Sequence, residues 1–208
     1  MKPIIIINFK TYKQGKEVIK LAKKIQKVNN KIIIGVQPSD IYELTKATKL
    51  EIFSEHVDAF KPGRNTGFII PEAIKKDKAK GVFLNHSEHP LNIKTIKKTI
   101  ERCNEVKLKT AVFVKDLKQA IKIKKLKPNY LIYEPPELVA GKLSVSKAKP
   151  KTIEKIAKRL KYPFLIGAGI KTKKDIDIAI KLGASGIAIS SVITKAKNPE
   201  KKLRELLN

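Results

Sequence analysis

With 208 residues, 42% of them hydrophobic, the chain can bury a proper core, and no long polar tract or Gly/Ser linker divides it, so it reads as one domain over residues 1–208. The longest apolar stretch near the start, residues 3–7, is too short for a membrane span or the core of a signal peptide, and a lone cysteine, Cys103, leaves no internal disulfide and fits a reducing cytoplasm. A formal charge of +27 (46 Lys and Arg against 19 Asp and Glu) attracts anions, but lysines such as Lys20, Lys23, Lys24 and Lys27, or Lys118, Lys122, Lys124 and Lys125, are scattered over almost every helical segment and read as solvated surface rather than a nucleic-acid footprint.

Apolar, β-branched runs recur at residues 4–7, 32–36, 50–53, 81–84, 110–114, 130–133, 164–166 and 186–189. Their near-continuous hydrophobicity predicts parallel strands buried on both faces. Between the runs, apolar residues fall at helical spacing. Val18, Ile19, Ala22 and Ile25 come after the first run, Ile93, Ile96, Ile100 and Cys103 after the fourth, and Ile176, Ala179, Ile180 and Ala184 after the seventh. Pro71 and Pro199 mark first helical turns, and Ser39 and Asp116 are candidate caps. Strict β–α alternation demands crossover helices between parallel strands. Eight such units predict an α/β protein with a single-domain, closed (β/α)8 barrel, compact and with short loops. An open doubly wound sheet usually needs fewer units.

Barrel active sites lie at the C-terminal strand ends, so the residues immediately after each run are the ones that bear on function. The first run leads into Asn8-Phe9-Lys10, the fourth into Asn85-His86-Ser87-Glu88 and the sixth into Glu134-Pro135-Pro136. The seventh leads into Gly167-Ala168-Gly169 and the eighth into Ser190-Ser191. Singly these are weak signals: a lone lysine is more often surface, a lone histidine more often a satisfied structural group. Together they bring a base, a cation, a polar donor and small-residue loops to one rim. A carboxylate can remove a proton from carbon beside a carbonyl, a lysine can hold phosphate and developing enediolate charge, and a neutral imidazole can polarise the carbonyl oxygen. Small-residue loops and helix N-termini present N–H groups to phosphate. His86 precedes a segment introduced by Pro90, and the positive end of a helix there would keep the imidazole neutral. Neither a strand-then-G-x-G-x-x-G fingerprint nor metal-ligand spacing is present, so no cofactor is expected.

In this combination and order, the motifs resemble the triosephosphate isomerase family in its archaeal form, over nearly the whole chain. Asn8-Phe9-Lys10-Thr11-Tyr12 resembles the family's N-x-K opening, and Asn85-His86-Ser87-Glu88 its H-S-E segment with a preceding Asn. Tyr133-Glu134-Pro135-Pro136-Glu137-Leu138 resembles the E-P-P-E-L start of the catalytic lid, and Gly167-Ala168-Gly169-Ile170 the G-A-G-I phosphate loop. Gly35-Val36-Gln37-Pro38 and Pro62-Gly63-Arg64-Asn65-Thr66-Gly67 also match in place and type. The resemblance implies interconversion of dihydroxyacetone phosphate and glyceraldehyde 3-phosphate, in glycolysis and gluconeogenesis. It implies Glu134 as base, His86 as electrophile, Lys10 as binder of substrate charge and Asn8 as a substrate-positioning group. Glu88 would hold the Lys10 region, and Ala140, Gly169, Ser190 and Ser191 would bind substrate at the phosphate end. Thr66 would sit on a loop reaching into a neighbouring subunit of a homo-oligomer, tetramer over dimer. A lid over residues 135–145 would close on the substrate.

Three departures stand out. The family's lid ends I-G-T-G, against Val139-Ala140-Gly141-Lys142 here; paired small residues after the eighth run are replaced by Ser190-Ser191-Val192; and Lys149 precedes Pro150 where Asn is commoner. Ala and Ser keep their backbone amides, whereas Lys142 bears on lid kinetics. Elsewhere, His56 and His89 read as structural or solvent-facing, and Tyr12, Tyr42 and Tyr162 as packing or capping groups. Glu55, ending the third run, reads as a rim salt bridge. Two rival readings fit part of the pattern. One is another phosphate-handling barrel, such as a prenyl-glyceryl phosphate synthase or an aldolase, though runs five to seven lack a convincing inward Schiff-base lysine. The other is a non-catalytic barrel holding nucleic acid, which needs basic residues on one face with aromatics to stack bases, while aromatics here are 6% and fall mostly in strands.

Overall fold

The computed structural model describes residues 3–135 and 148–208. Parallel strands β1 (Ile4–Asn8), β2 (Ile33–Val36), β3 (Glu51–Ser54), β4 (Gly81–Leu84), β5 (Lys109–Val114), β6 (Tyr130–Tyr133), β7 (Phe164–Ile166) and β8 (Gly186–Ile189) pair in sequence order. β8 returns to β1, with Ile4 opposite Gly186 and Ile7 opposite Ile189, so the sheet closes into the expected barrel. The helices among the described residues are α1 (Lys16–Val28), α2 (Ile41–Ala47), α3 (Pro71–Lys76), α4 (Ile93–Glu105), α5 (Leu117–Lys124), α6 (Pro150–Leu160), α7 (Lys173–Lys181), α8 (Ser191–Thr194) and α9 (Pro199–Leu207). None is long and apolar enough to cross a membrane.

Strand alternation divides the apolar residues into two layers. Ile5 and Ile7 join the layer between sheet and helices, with Val18, Leu21, Ala22 and Ile25 of α1. Ile6 points the other way and meets Ile33, Phe53, Phe83, Phe113, Ile132 and Leu165 in the barrel interior. The interior rings are accommodated by glycine on the neighbouring strands. A Cβ at Gly35 would fall on the Phe83 ring, and one at Gly81 would lie 2.5 Å from Phe53 Cζ. The barrel is therefore a packed core, and its usable space lies above the strands.

Some local expectations shift. Ser39 lies inside a short 3-10 turn, Pro38–Asp40, and α2 begins only after it, so Ser39 caps nothing. Asp116 does cap α5, accepting from Gln119 N at 2.7 Å, and Pro71 and Pro199 open their helices. Ile93 is exposed because it is the first residue of α4, before the helix has turned its apolar face to the sheet, and Ile180 is also exposed at the edge of its stripe. The α1 lysines Lys20, Lys23, Lys24 and Lys27 all face solvent.

Candidate active site

A cavity of about 470 Å³ opens at the C-terminal strand ends, and its lining includes Asn8, Lys10, His86, Glu134, Gly169, Ser190 and Ser191. Residues separated by nearly the whole sequence thus share one wall. Glu88 reaches the same place through ion contacts with Lys10 and His86. Thr66 lies apart, exposed on its loop. Ala140, Lys142 and most of the proposed lid fall outside the described residues. A wider cavity of about 800 Å³, lined by residues such as Ile121, Lys125, Arg159 and Tyr162, sits against the outer helices and gathers no carboxylate or imidazole. Convergence of titratable groups singles out the rim cavity.

Lys10 is placed by an abrupt turn. Phe9 N continues the β1 ladder to Gly35 O at 2.9 Å, and Lys10 then adopts φ 48, a left-handed conformation costly for a residue with a side chain. Its N–H donates to Asn8 Oδ1 at 2.9 Å, and its Nζ lies 2.6 Å from Glu88 Oε1. A second left-handed residue, Asn85 at φ 60, turns the chain after β4. Asn85 donates through Nδ2 to Phe113 O at 2.8 Å and accepts from Leu91 N at 2.9 Å, which ties the loop at both ends.

His86 comes next and is buried, its ring edge-to-face with Phe113 at 4.7 Å. Glu88 N donates to His86 Nδ1 at 3.1 Å. An accepting Nδ1 assigns the proton of the neutral ring to Nε2. That nitrogen faces Glu134 Oε2 at 3.7 Å, too long for a hydrogen bond. Burial, with the Lys10 cation second, pushes the imidazole down to about 4, while the Glu88 charge opposes the shift. The helix expected beside His86 is not there: α4 begins at Ile93 with Asn92 as its cap, so burial and Lys10 keep the ring neutral, not a helix end.

Glu134 extends β6, its N–H donating to Val114 O at 2.9 Å. Gly167, the corresponding residue past β7, leaves room for it; a Cβ there would sit 3.0 Å from Glu134 Oε2. Burial pushes the Glu134 carboxyl up to about 7, with Lys10 pulling it back and Glu88 adding to the rise. Beyond β7, Ala168 and Gly169 are both left-handed at φ 69. Past β8, Ser190 buries its Oγ with no partner among the described residues, and Ser191 opens α8.

Sequence reasoning missed three cations. Lys171, Lys195 and Lys202 line the same cavity, and Lys195 Nζ lies 4.2 Å from the centre of the Tyr12 ring, which is therefore a site-lining group. Lys171 could have been found, since it abuts the Gly167–Ile170 motif; Lys195 and Lys202, near and on the last helices, look like every other lysine. Glu55 makes no ion pair among the described residues, contrary to the rim salt bridge expected, because its carboxyl is drawn into a buried position with Oε1 unpartnered. His56 and His89 stack at 4.2 Å, and His56 Nε2 lies 3.3 Å from Asp58 Oδ1. Asp58 Oδ2 accepts from Ile69 N at 2.9 Å, so the pair buttresses the base of the Thr66 loop. No group of three or more potential metal ligands occurs among the described residues.

The family model for triosephosphate isomerase matches residues 3–207. The triosephosphate isomerase of Sulfolobus acidocaldarius is 38% identical to this chain, covering 99% of it and 94% of the relative. That of Saccharolobus solfataricus is 39% identical, with 99% and 95% covered, and that of Methanocaldococcus jannaschii 35%, with 98% of each. Neither rival reading, a different phosphate-handling barrel or a nucleic-acid-binding one, finds a counterpart among these matches. A barrel that gathers carboxylate, imidazole and lysine at one rim, with a match of this length behind it, leaves one conclusion: the chain belongs to the triosephosphate isomerase family.

Proposed function

We propose that this isomerase interconverts dihydroxyacetone phosphate and D-glyceraldehyde 3-phosphate through an enediolate, with Glu134 moving the proton and His86 and Lys10 holding the charge. The observation that carries the assignment is the meeting of Glu134 Oε2 and His86 Nε2, 3.7 Å apart in one buried wall. Above about pH 7 the Glu134 carboxyl is ionised and can take a proton from the substrate carbon. As that bond breaks, negative charge develops on the carbonyl oxygen, where the Nε2–H of a neutral His86 donates to it. The Lys10 cation lowers the energy of the same charge, and Glu88 steadies its ammonium. Glu134 then returns the proton to the adjacent carbon, completing the exchange of aldose and ketose without a redox partner. Glu134 and His86 act in a poorly solvated pocket, so each interaction is stronger than in water. Asn8 positions substrate, and the Gly169, Ser190 and Ser191 backbone with the Ser190 hydroxyl takes the phosphate. Lys171, Lys195 and Lys202 add positive field. Ala140 and the lid are carried by the family resemblance.

Lys10→Ala is expected to weaken binding of a triose phosphate by roughly 10- to 100-fold, the range for a hydrogen bond to a charged group. Added salt should weaken wild-type binding further by screening the wider field. Titration of both proteins with a phosphate-bearing inhibitor checks this; equal affinities would remove Lys10 from the site.

We further infer a homo-oligomer, tetramer over dimer, working in the cytoplasm. Phe60 and Phe68 are exposed, lie 4.5 Å apart between ring centres, and flank the loop that bears Thr66. Exposed aromatic pairs mark contact surfaces. A charge of +27 per chain opposes assembly, so buried contacts must outweigh the repulsion. Light scattering at micromolar concentration is expected to give an oligomer mass; an active monomer would overturn the inference.

A further inference from the structure

Glu55 is the buried carboxyl at this rim that the proposed proton transfer does not use. It directly succeeds β3 and continues its ladder, with Glu55 N donating to Val36 O at 2.9 Å. Its carboxyl is half-hidden under the rim loops, where the Lys10 N–H, already given to Asn8 Oδ1, also reaches it. Oε1 is fully buried and has no hydrogen-bond partner among the described residues. The charged groups that face it come from three neighbouring segments: Lys10 after β1, Asp40 after β2 and Glu88 after β4. On its own segment, the adjacent His56 is engaged with Asp58 and His89.

We propose that Glu55 is a positioning residue for Lys10: its carboxyl, lodged against the left-handed Lys10 turn, holds that strained backbone and adds or withholds one negative charge at the anion site. The proposal rests on the assignment of Lys10 to substrate charge and deepens it. A residue at φ 48 with a long side chain is held there only by its surroundings, and two side-chain oxygens converge on its single N–H. The same proximity couples the charge of Glu55 to the Lys10–Glu88 pair. Burial, foremost, pushes the Glu55 carboxyl up to about 7, with the Asp40 and Glu88 charges adding to the rise and Lys10 opposing it. Near neutral pH it is therefore half protonated. In the neutral form, Lys10 faces one carboxylate fewer and its positive field is stronger for an incoming dianion. In the ionised form, part of that field is cancelled.

The experiment measures calorimetric dissociation constants for inorganic sulfate, whose charge is constant from about pH 6 to about pH 8.5, in wild type, Glu55→Gln and Glu55→Leu. Gln keeps an acceptor for the Lys10 N–H and cannot ionise; Leu keeps neither. From about pH 6 to about pH 8.5, sulfate binding by wild type should weaken by roughly threefold or more relative to Glu55→Gln, the effect of one like charge in a shared pocket. Glu55→Leu should bind more weakly than Glu55→Gln at both pH values. A ratio of wild type to Glu55→Gln that does not change with pH would overturn the charge role, and equal affinities for Gln and Leu would overturn the positioning role. A Leu variant that does not fold leaves the wild-type to Gln ratio as the deciding measurement. Turnover of triose phosphate by wild type, assayed alongside, separates the two levels: an inactive wild type sinks the catalytic assignment, whereas an active one with a flat ratio sinks only Glu55.

Discussion

Replacing Glu134 by Gln is expected to lower turnover by about 10²–10⁴-fold while leaving substrate binding largely in place, the loss typical of removing a general base. Gln matches Glu in size and fits beside Gly167, but it cannot accept a carbon-bound proton at neutral pH. Stability should move in the opposite direction. Burial raises this carboxyl from 4.5 to about 7, so the folded chain holds the proton more tightly than the unfolded chain does. Its contribution to stability is thus greatest below pH 4.5 and declines as pH rises through 7. The Gln variant escapes that decline. At about pH 8 it should be more stable than wild type by on the order of 1–3 kcal/mol, and near pH 4 the two should match. Urea unfolding at both pH values, beside a coupled assay of triose phosphate interconversion, reads both effects. Near-normal turnover in the variant would end the assignment of the base. In wild type, kcat/KM should fall about tenfold per pH unit well below the Glu134 value of about 7, as the free carboxylate is lost.

Loss of the His86 donor is the second large effect. His86→Leu keeps apolar bulk against Phe113 but removes the Nε2–H aimed at the substrate oxygen, and turnover is expected to fall by about 10²–10³-fold, the scale for losing one preorganised oxyanion donor. The pH dependence distinguishes this role from that of the base. His86 is held neutral down to about 4, so it should not titrate where Glu134 does, and the acid limb near pH 7 should survive in His86→Leu. Disappearance of that limb in the histidine variant would reassign it to His86. The substitution should also leave a mark on stability. Because the folded pKa lies below the unfolded value of 6.5, the contribution of the neutral ring is fully present above 6.5 and is lost as pH falls towards 4. Acid unfolding of wild type should therefore be steeper across that window than acid unfolding of His86→Leu. Unaltered turnover in the variant would remove histidine from the chemistry.

The strand pattern was legible because parallel barrel strands are buried on both faces and so appear as unbroken apolar runs. Each run landed within one residue of a strand end, and residues such as Asn8, His86 and Glu134 could be placed on one rim by topology alone. Motif spacing added the family and the identity of base and electrophile. The sequence was silent wherever a property depends on residues distant in the chain. The neutrality of His86 had looked like the work of a local helix end, but it comes from burial and from Lys10, which arrives from a different strand. Lys171, Lys195 and Lys202 carry no local mark that separates them from the solvated lysines of α1; only closure of β8 onto β1 and the packing of the last helices bring them to the cavity. Glu55 shows the same limit most clearly. Its place after β3 was readable, yet whether it forms a surface ion pair or a buried, half-protonated carboxyl depends on how the loops after β1, β2 and β4 close over it. Local patterning determines which residues face the rim, because side-chain alternation is a property of the strand itself. Desolvation and charge proximity are sums over neighbouring strands, and those exist only once the barrel is closed.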